Sequence, residues 1–242
     1  MFRAEATGKA LQFDTDELIG GNEVFKDRQT GSHWQQSSAE AISGPLKGTK
    51  LAFYPFLLTT WQEWLEQHPD TVVLKPLPGY ADRIADMNKI LKQGPPGAGK
   101  APNGAFGHDS RLRPYDVIAG LEVGGDAKAF SISALRRVHV VNDHVGGQPV
   151  VIVQQPASDT TTAFMAQING KPLSFEALDA TVRKLADAQT HSIWNDYGLC
   201  LSGSLKGSQL KTLILEPEFW FAWSEFHPKS ELYSLGGSPD SY

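Results

Sequence analysis

Asp27-Arg28-Gln29-Thr30-Gly31-Ser32-His33-Trp34 returns 160 residues later as Asp187-Ala188-Gln189-Thr190-His191-Ser192-Ile193-Trp194. The shared pattern is D-x-Q-T-x-S-x-W. Working outward, Gly8-Lys9-x-Leu11-x-Phe13 recurs as Gly170-Lys171-x-Leu173-x-Phe175. Downstream, Gly44-x-Leu46-Lys47-Gly48-x-x-Leu51 recurs as Gly203-x-Leu205-Lys206-Gly207-x-x-Leu210. Last, Trp61-x-x-Trp64-x-x-x-His68-Pro69 recurs as Trp220-x-x-Trp223-x-x-x-His227-Pro228. Blocks matched in one order predict an internal repeat, and a repeat constrains architecture before any single motif does.

In the first copy, residues 51–56 and 71–74 have the composition of strands. Between them Thr60 and Glu63 form a capping-box pattern. Trp61, Trp64, Leu65 and His68 then follow at helical spacing. Pro69 ends the helix, because the residue before proline is forced out of the helical region. The same design closes the second copy. That copy opens with a hairpin, 117–123 and 127–132 around Gly124-Gly125-Asp126, and continues with strands at 149–154 and 160–168. The expected fold is therefore a β-rich α+β protein of two related antiparallel β lobes, each closed by a short Trp-rich helix. Residues 1–78 form the first lobe, 79–113 a Gly/Pro-rich connector, 114–235 the second lobe and 236–242 a tail. Nothing in the first copy matches residues 114–158, so the first lobe reads as N-terminally incomplete and the chain as the back portion of a longer protein.

Composition narrows the function classes. The chain has 242 residues, 40% apolar and 10% aromatic, with a formal charge of −5. An acidic balance argues against nucleic acid as a partner. No apolar stretch approaches the length of a membrane span, and the N-terminus lacks the apolar core of a signal peptide. Cys200 is alone, which excludes an intrachain disulfide and a cysteine metal cluster; it reads as a buried strand residue.

Candidate ligand-binding residues are His68, His227, His139, Asp143, Trp34 and Trp194. Each has a structural alternative. His68 and His227 end helices, where an imidazole complements the dipole. The repeated tryptophans suit core anchors. Asn142 and Asp143 suit a self-bonded turn, as does D-x-x-T-x-S. Gly94-x-x-x-x-Gly99-Lys100 lacks the hydroxyl and helix of a phosphate loop and reads as linker, preceded by a polar helix over 81–92. No metal and no cofactor is expected from these residues.

The combined motifs resemble a bacterial and archaeal family known as domain-of-unknown-function family 3179. They stand here as Asp27-Arg28-x-Thr30-x-Ser32-x-Trp34 and Thr59-Thr60-Trp61-x-x-Trp64 with His68-Pro69. To these add Val123-x-Gly125-x-Ala127-x-Ala129-Phe130 and Asn142-Asp143-x-Val145-Gly146-Gly147-x-Pro149-Val150. The family's Cys-Pro-Leu-Cys is absent, and Gln155-Pro156-Ala157-Ser158 stands at the corresponding place in the second copy. By analogy the resemblance implies an extracytoplasmic or periplasmic setting. The expected function is a non-catalytic binding or accessory module for a small ligand or protein partner, with homo-oligomerisation through exposed strand edges of the incomplete lobe. The alternative is an enzyme, or a metal or redox protein, with key residues partly upstream.

Overall fold

The computed structural model describes residues 2–19, 22–36, 38–54, 56–75 and 109–235. The phosphate-loop-like stretch and the helix expected at 81–92 lie outside the described residues. Within them the protein is β-rich, with several antiparallel sheets and three short helices, Trp61–Gln67, Ile132–Val138 and Trp220–Phe226. The middle helix corrects the expectation of one helix in the second copy. It starts where Ser131 leaves the hairpin, and Leu135 is its buried residue.

Two four-stranded meanders carry the D-x-Q-T-x-S-x-W turns. The first runs Phe13–Ile19, Asn22–Asp27, His33–Gln35, Ala41–Ser43; the second Phe175–Ala177, Lys184–Asp187, Ile193–Asn195, Cys200–Ser202. In the first, Phe25 opposes Trp34 and a bulge falls at His33/Trp34; in the second, Leu185 opposes Trp194 and a bulge falls at Ile193/Trp194. Asp27 explains the turn. Its carboxylate accepts from the Thr30 amide at 2.5 Å, the Thr30 hydroxyl at 2.7 Å and Trp34 Nε1 at 2.8 Å. Asp187 does the same with Thr190 (2.5 and 2.8 Å) and Trp194 (2.9 Å). Phe13 meets the Trp34 ring edge-on at 5.9 Å, and Phe175 meets Trp194 at 5.7 Å. Cys200 is buried in its strand, as its apolar neighbours imply.

Two further four-stranded sheets belong to the second half. One orders Thr212–Leu213, Thr161–Met165, Gln148–Gln154, Val140–Val145; the other Leu215–Phe219, Val117–Val123, Asp126–Ser131, Glu231–Tyr233, the last strand parallel to its neighbour. They share a core of Leu121, Phe130, Leu135, Val150 and Ile152. The opposite face of the second sheet receives Trp220 and Trp223 against Ile118 and Ala129.

Two strands expected in the first copy, 51–56 and 71–74, do not form: of their described residues only Phe53 pairs, in an isolated bridge to Phe2. A strand needs a neighbour for its amides along its length, and no described strand runs beside most of either segment.

Candidate functional site

A cleft opens where residues 56–60 cross the second half. Phe56 and Leu58 line it together with Val117, Ala119, Leu215 and Pro217, and its volume is about 430 Å³. Ser131, Ser133, Arg136, Asp159 and Thr161 edge it with polar groups. Beyond Arg136 and Asp159 the cleft continues past Thr60, His139, Gln154 and Ser158.

What positions Thr60 over this cleft is a buried charge. Thr60 caps its helix, with Oγ1 accepting from the Glu63 amide at 3.2 Å. Glu63 does not complete the capping box. Its buried carboxylate takes both terminal nitrogens of Arg183, the Tyr197 hydroxyl at 2.9 Å and Gln67 Nε2 at 3.0 Å. Arg183, ahead of burial's opposing effect, holds the Glu63 carboxyl down at about 2. Arg183 also reaches Asp196 at 3.3 Å, whose carboxyl burial pushes up and Gln155 Nε2 stabilises at 2.6 Å. Burial raises the Tyr197 hydroxyl to about 12. Nearby, the Thr160 hydroxyl donates to Thr59 Oγ1 at 2.8 Å. The first helix is thus tied to the second meander by hydrogen-bonded ions, an arrangement whose loss leaves a bare buried charge.

Across the cleft a polar relay runs from His139 to Arg136. Gln154 is buried; its Nε2 donates to Asp159 Oδ1 at 2.6 Å and to the Gln155 carbonyl at 3.2 Å, which leaves Oε1 to face His139 Nδ1 at 2.7 Å. An amide oxygen only accepts, so Nδ1 is the donor in this contact. Arg136 Nε donates to Asp159 Oδ1 at 2.8 Å and Nη2 to Oδ2. That pairing, opposed by burial, lowers the Asp159 carboxyl. Two members of the relay sit at positive φ, His139 at 61° and Asp159 at 57°. Such backbone is costly for side chains other than glycine and persists where surrounding contacts over-determine it.

The sequence candidates separate. His139 lies in the cleft. Asp143 points elsewhere, bonded to Lys128 at 2.9 Å, and Lys128 also reaches Glu231 at 3.1 Å. The self-bonded turn expected of Asn142 and Asp143 is instead part of the strand Val140–Val145, with Asn142 exchanging hydrogen bonds with the Phe175 backbone. Trp34 and Trp194 are buried, each indole committed to its aspartate. His68 and His227 cap their helices through backbone amides, while the rings lie on Trp64 and Trp223 at 4.1 and 4.0 Å. Trp61 and Trp64 are exposed and are not core anchors. Arg136, Gln154, Asp159 and Arg183 escaped sequence reading; the only signal was Gln154-Gln155 ending an apolar run, two polar side chains where a strand is buried on both faces.

Among the described residues no group of three or more His, Cys, Asp and Glu could hold a metal ion. No helix among the described residues is long and apolar enough to cross a membrane. No curated protein and no solved structure matches the chain. Residues 1–230 match the model of a family of proteins of unknown function, and the chain accordingly belongs to domain-of-unknown-function family 3179.

Proposed function

We propose that this protein is a non-catalytic binding module whose ligand occupies the cleft between residues 56–60 and the second half of the chain. The observation that carries this reading is the cleft's composition: an apolar floor beside a rim of hydroxyls and a pre-paired Arg136–Asp159. Concave, mostly apolar sites with a few fixed polar groups are where small ligands bind. The ligand class is a small molecule with an apolar body and one hydrogen-bonding end. A ligand-observed NMR screen against the whole chain tests this. Hits should lose binding in Ser133→Trp, a substitution at an exposed position that fills the cleft, with unchanged melting temperature. Hits that bind Ser133→Trp as tightly as the native chain would place the ligand elsewhere.

A catalytic reading has one observation in its favour, the His139–Gln154–Asp159 relay, which fixes the imidazole through Nδ1. Turnover of a screened ligand that disappears in His139→Ala, with binding intact, would replace the binding-module reading.

A further inference from the structure

The helices Trp61–Gln67 and Trp220–Phe226 are built alike. Trp64 Nε1 donates to Thr71 Oγ1 at 2.8 Å, and Trp223 Nε1 donates to Ser230 Oγ at 2.8 Å. Each terminal histidine amide closes on the tryptophan carbonyl, His68 on Trp64 and His227 on Trp223. Their surroundings differ completely. Trp220 and Trp223 are 1% exposed, whereas Trp61 is 53% and Trp64 37% exposed. The chain that follows differs in the same sense. Glu231–Tyr233 pairs in parallel with residues 128–130, but residues 72–74 pair with no described strand, and Val72 and Leu74 are each 92% exposed. Of the thirteen large apolar residues exposed among the described residues, eight fall between Tyr54 and Leu74. Phe56 and Leu58 of these line the cleft; the others concentrate on the helix and the segments flanking it, as at an interaction surface.

The second half shows what covers such a face. The hairpin of Val117–Val123 and Asp126–Ser131 lies under Trp220 and Trp223, and its second strand pairs with Glu231–Tyr233. We propose that Trp61, Trp64 and residues 72–74 form a docking surface for a β-hairpin supplied by another polypeptide, one strand adding in parallel to 72–74. The recognition chemistry follows from the covered copy. Under Trp223 only glycine fits, since a Cβ on Gly120 would stand 2.2 Å from the indole; the partner needs glycine under Trp64. At the next strand, Glu231 opposes Lys128 and pairs with it at 3.1 Å. The residue at the corresponding place beside Trp64 is Val72, which offers a lysine no partner, so the docked hairpin carries an apolar residue there. This mismatch argues against a second copy of the chain donating its own hairpin. Edge addition of a strand supplies the backbone hydrogen bonds, and side-chain fit supplies the choice of partner.

The test uses the whole chain and a backbone-cyclised peptide of residues 117–131 carrying Lys128→Val. Saturable 1:1 binding should blue-shift the tryptophan emission and slow hydrogen exchange at 72–74. Adding Gly120→Val to the peptide should weaken binding at least about tenfold, and the peptide retaining Lys128 should bind about tenfold more weakly than the Lys128→Val peptide. In the Val72→Glu protein that last preference should reverse. Absence of binding by any peptide, indifference to Gly120→Val, or unchanged preference in Val72→Glu would each overturn the proposal. So would light scattering that shows the chain self-associating through this face, with Trp61→Glu restoring the monomer. The site is separate from the Arg136–Asp159 rim, so failure here leaves the cleft reading standing.

Discussion

Trp223 lies so close over Gly120 that a Cβ there would sit 2.2 Å from the six-membered ring of the indole. The glycine is required by contact and not by backbone conformation. It lets a fully buried tryptophan touch the sheet and closes one face of the second half of the chain.

Gly120→Ala should therefore destabilise the protein by about 1–3 kcal/mol, the cost of forcing an atom into a packed core. Urea unfolding followed by tryptophan emission measures this. A midpoint equal to the native one would mean that Trp223 is free to move away.

Asp187→Ala should cost about 2–3 kcal/mol, because Trp194 Nε1 and the Thr190 amide lose a charged acceptor inside the protein. Burial pushes the Asp187 carboxyl upward, but the bonds from Trp194 and Thr190 leave it below its ordinary value. Its contribution is then present above the ordinary carboxylate range and is lost as pH falls through the folded value. Native and variant stabilities should converge in acid. Parallel pH profiles would show that the carboxylate's charge does not matter.

The Glu63–Arg183 contact should survive mild acid. With Glu63 at about 2, its stabilisation is complete above the unfolded carboxyl's range and disappears only as pH falls toward 2. Arg183→Met should cost about 2–3 kcal/mol at pH 5, discounted from the fully buried case because the Arg183 side chain is 36% exposed. Hydrogen exchange at residues 61–67 reads the contact directly. Unchanged protection in Arg183→Met would separate helix docking from this ion pair.

Glu216 and Glu218 work in the opposite direction. Paired opposite Gly120 and Ile118, they share the sheet face that carries Trp223. Burial first, then the nearby Glu218 and Glu122 charges, raise Glu216 to about 8, and burial raises Glu218 to about 7. A raised carboxyl is neutral in the folded state, so stability is greatest below the unfolded pKa and is lost as pH rises through the folded values. Between pH 5 and 8 the melting temperature should fall. Glu216→Gln should flatten that slope and stabilise the protein at pH 8 by about 1–3 kcal/mol. An unchanged slope in this variant would place the titration elsewhere.

Local chemistry made much of the architecture readable. D-x-x-T-x-S turns form in both halves because the aspartate, the threonine hydroxyl and the amides it bonds lie within five residues of each other. The hairpin around Gly124-Gly125 and both Trp-rich helices are also short-range objects, and each stands where the spacing placed it. The expectations that failed needed distant partners. Residues 51–56 and 71–74 have strand composition, yet no described strand lies beside most of either. Glu63 has the right spacing for a capping box, yet Arg183, 120 residues away, takes its carboxylate. The cleft was the least legible part, because Arg136, Gln154 and Asp159 carry no motif and meet only when helix, strand end and turn converge.

Alone, then, the order of residues determined the turns, the helix ends and the β-rich class, since these depend on hydrogen bonds and periodicities within one or two turns of chain. Tertiary structure decided which tryptophans are covered, which carboxyls are charged and where a cleft opens. Burial and electrostatics depend on neighbours brought together from distant positions, and no local pattern encodes that distance.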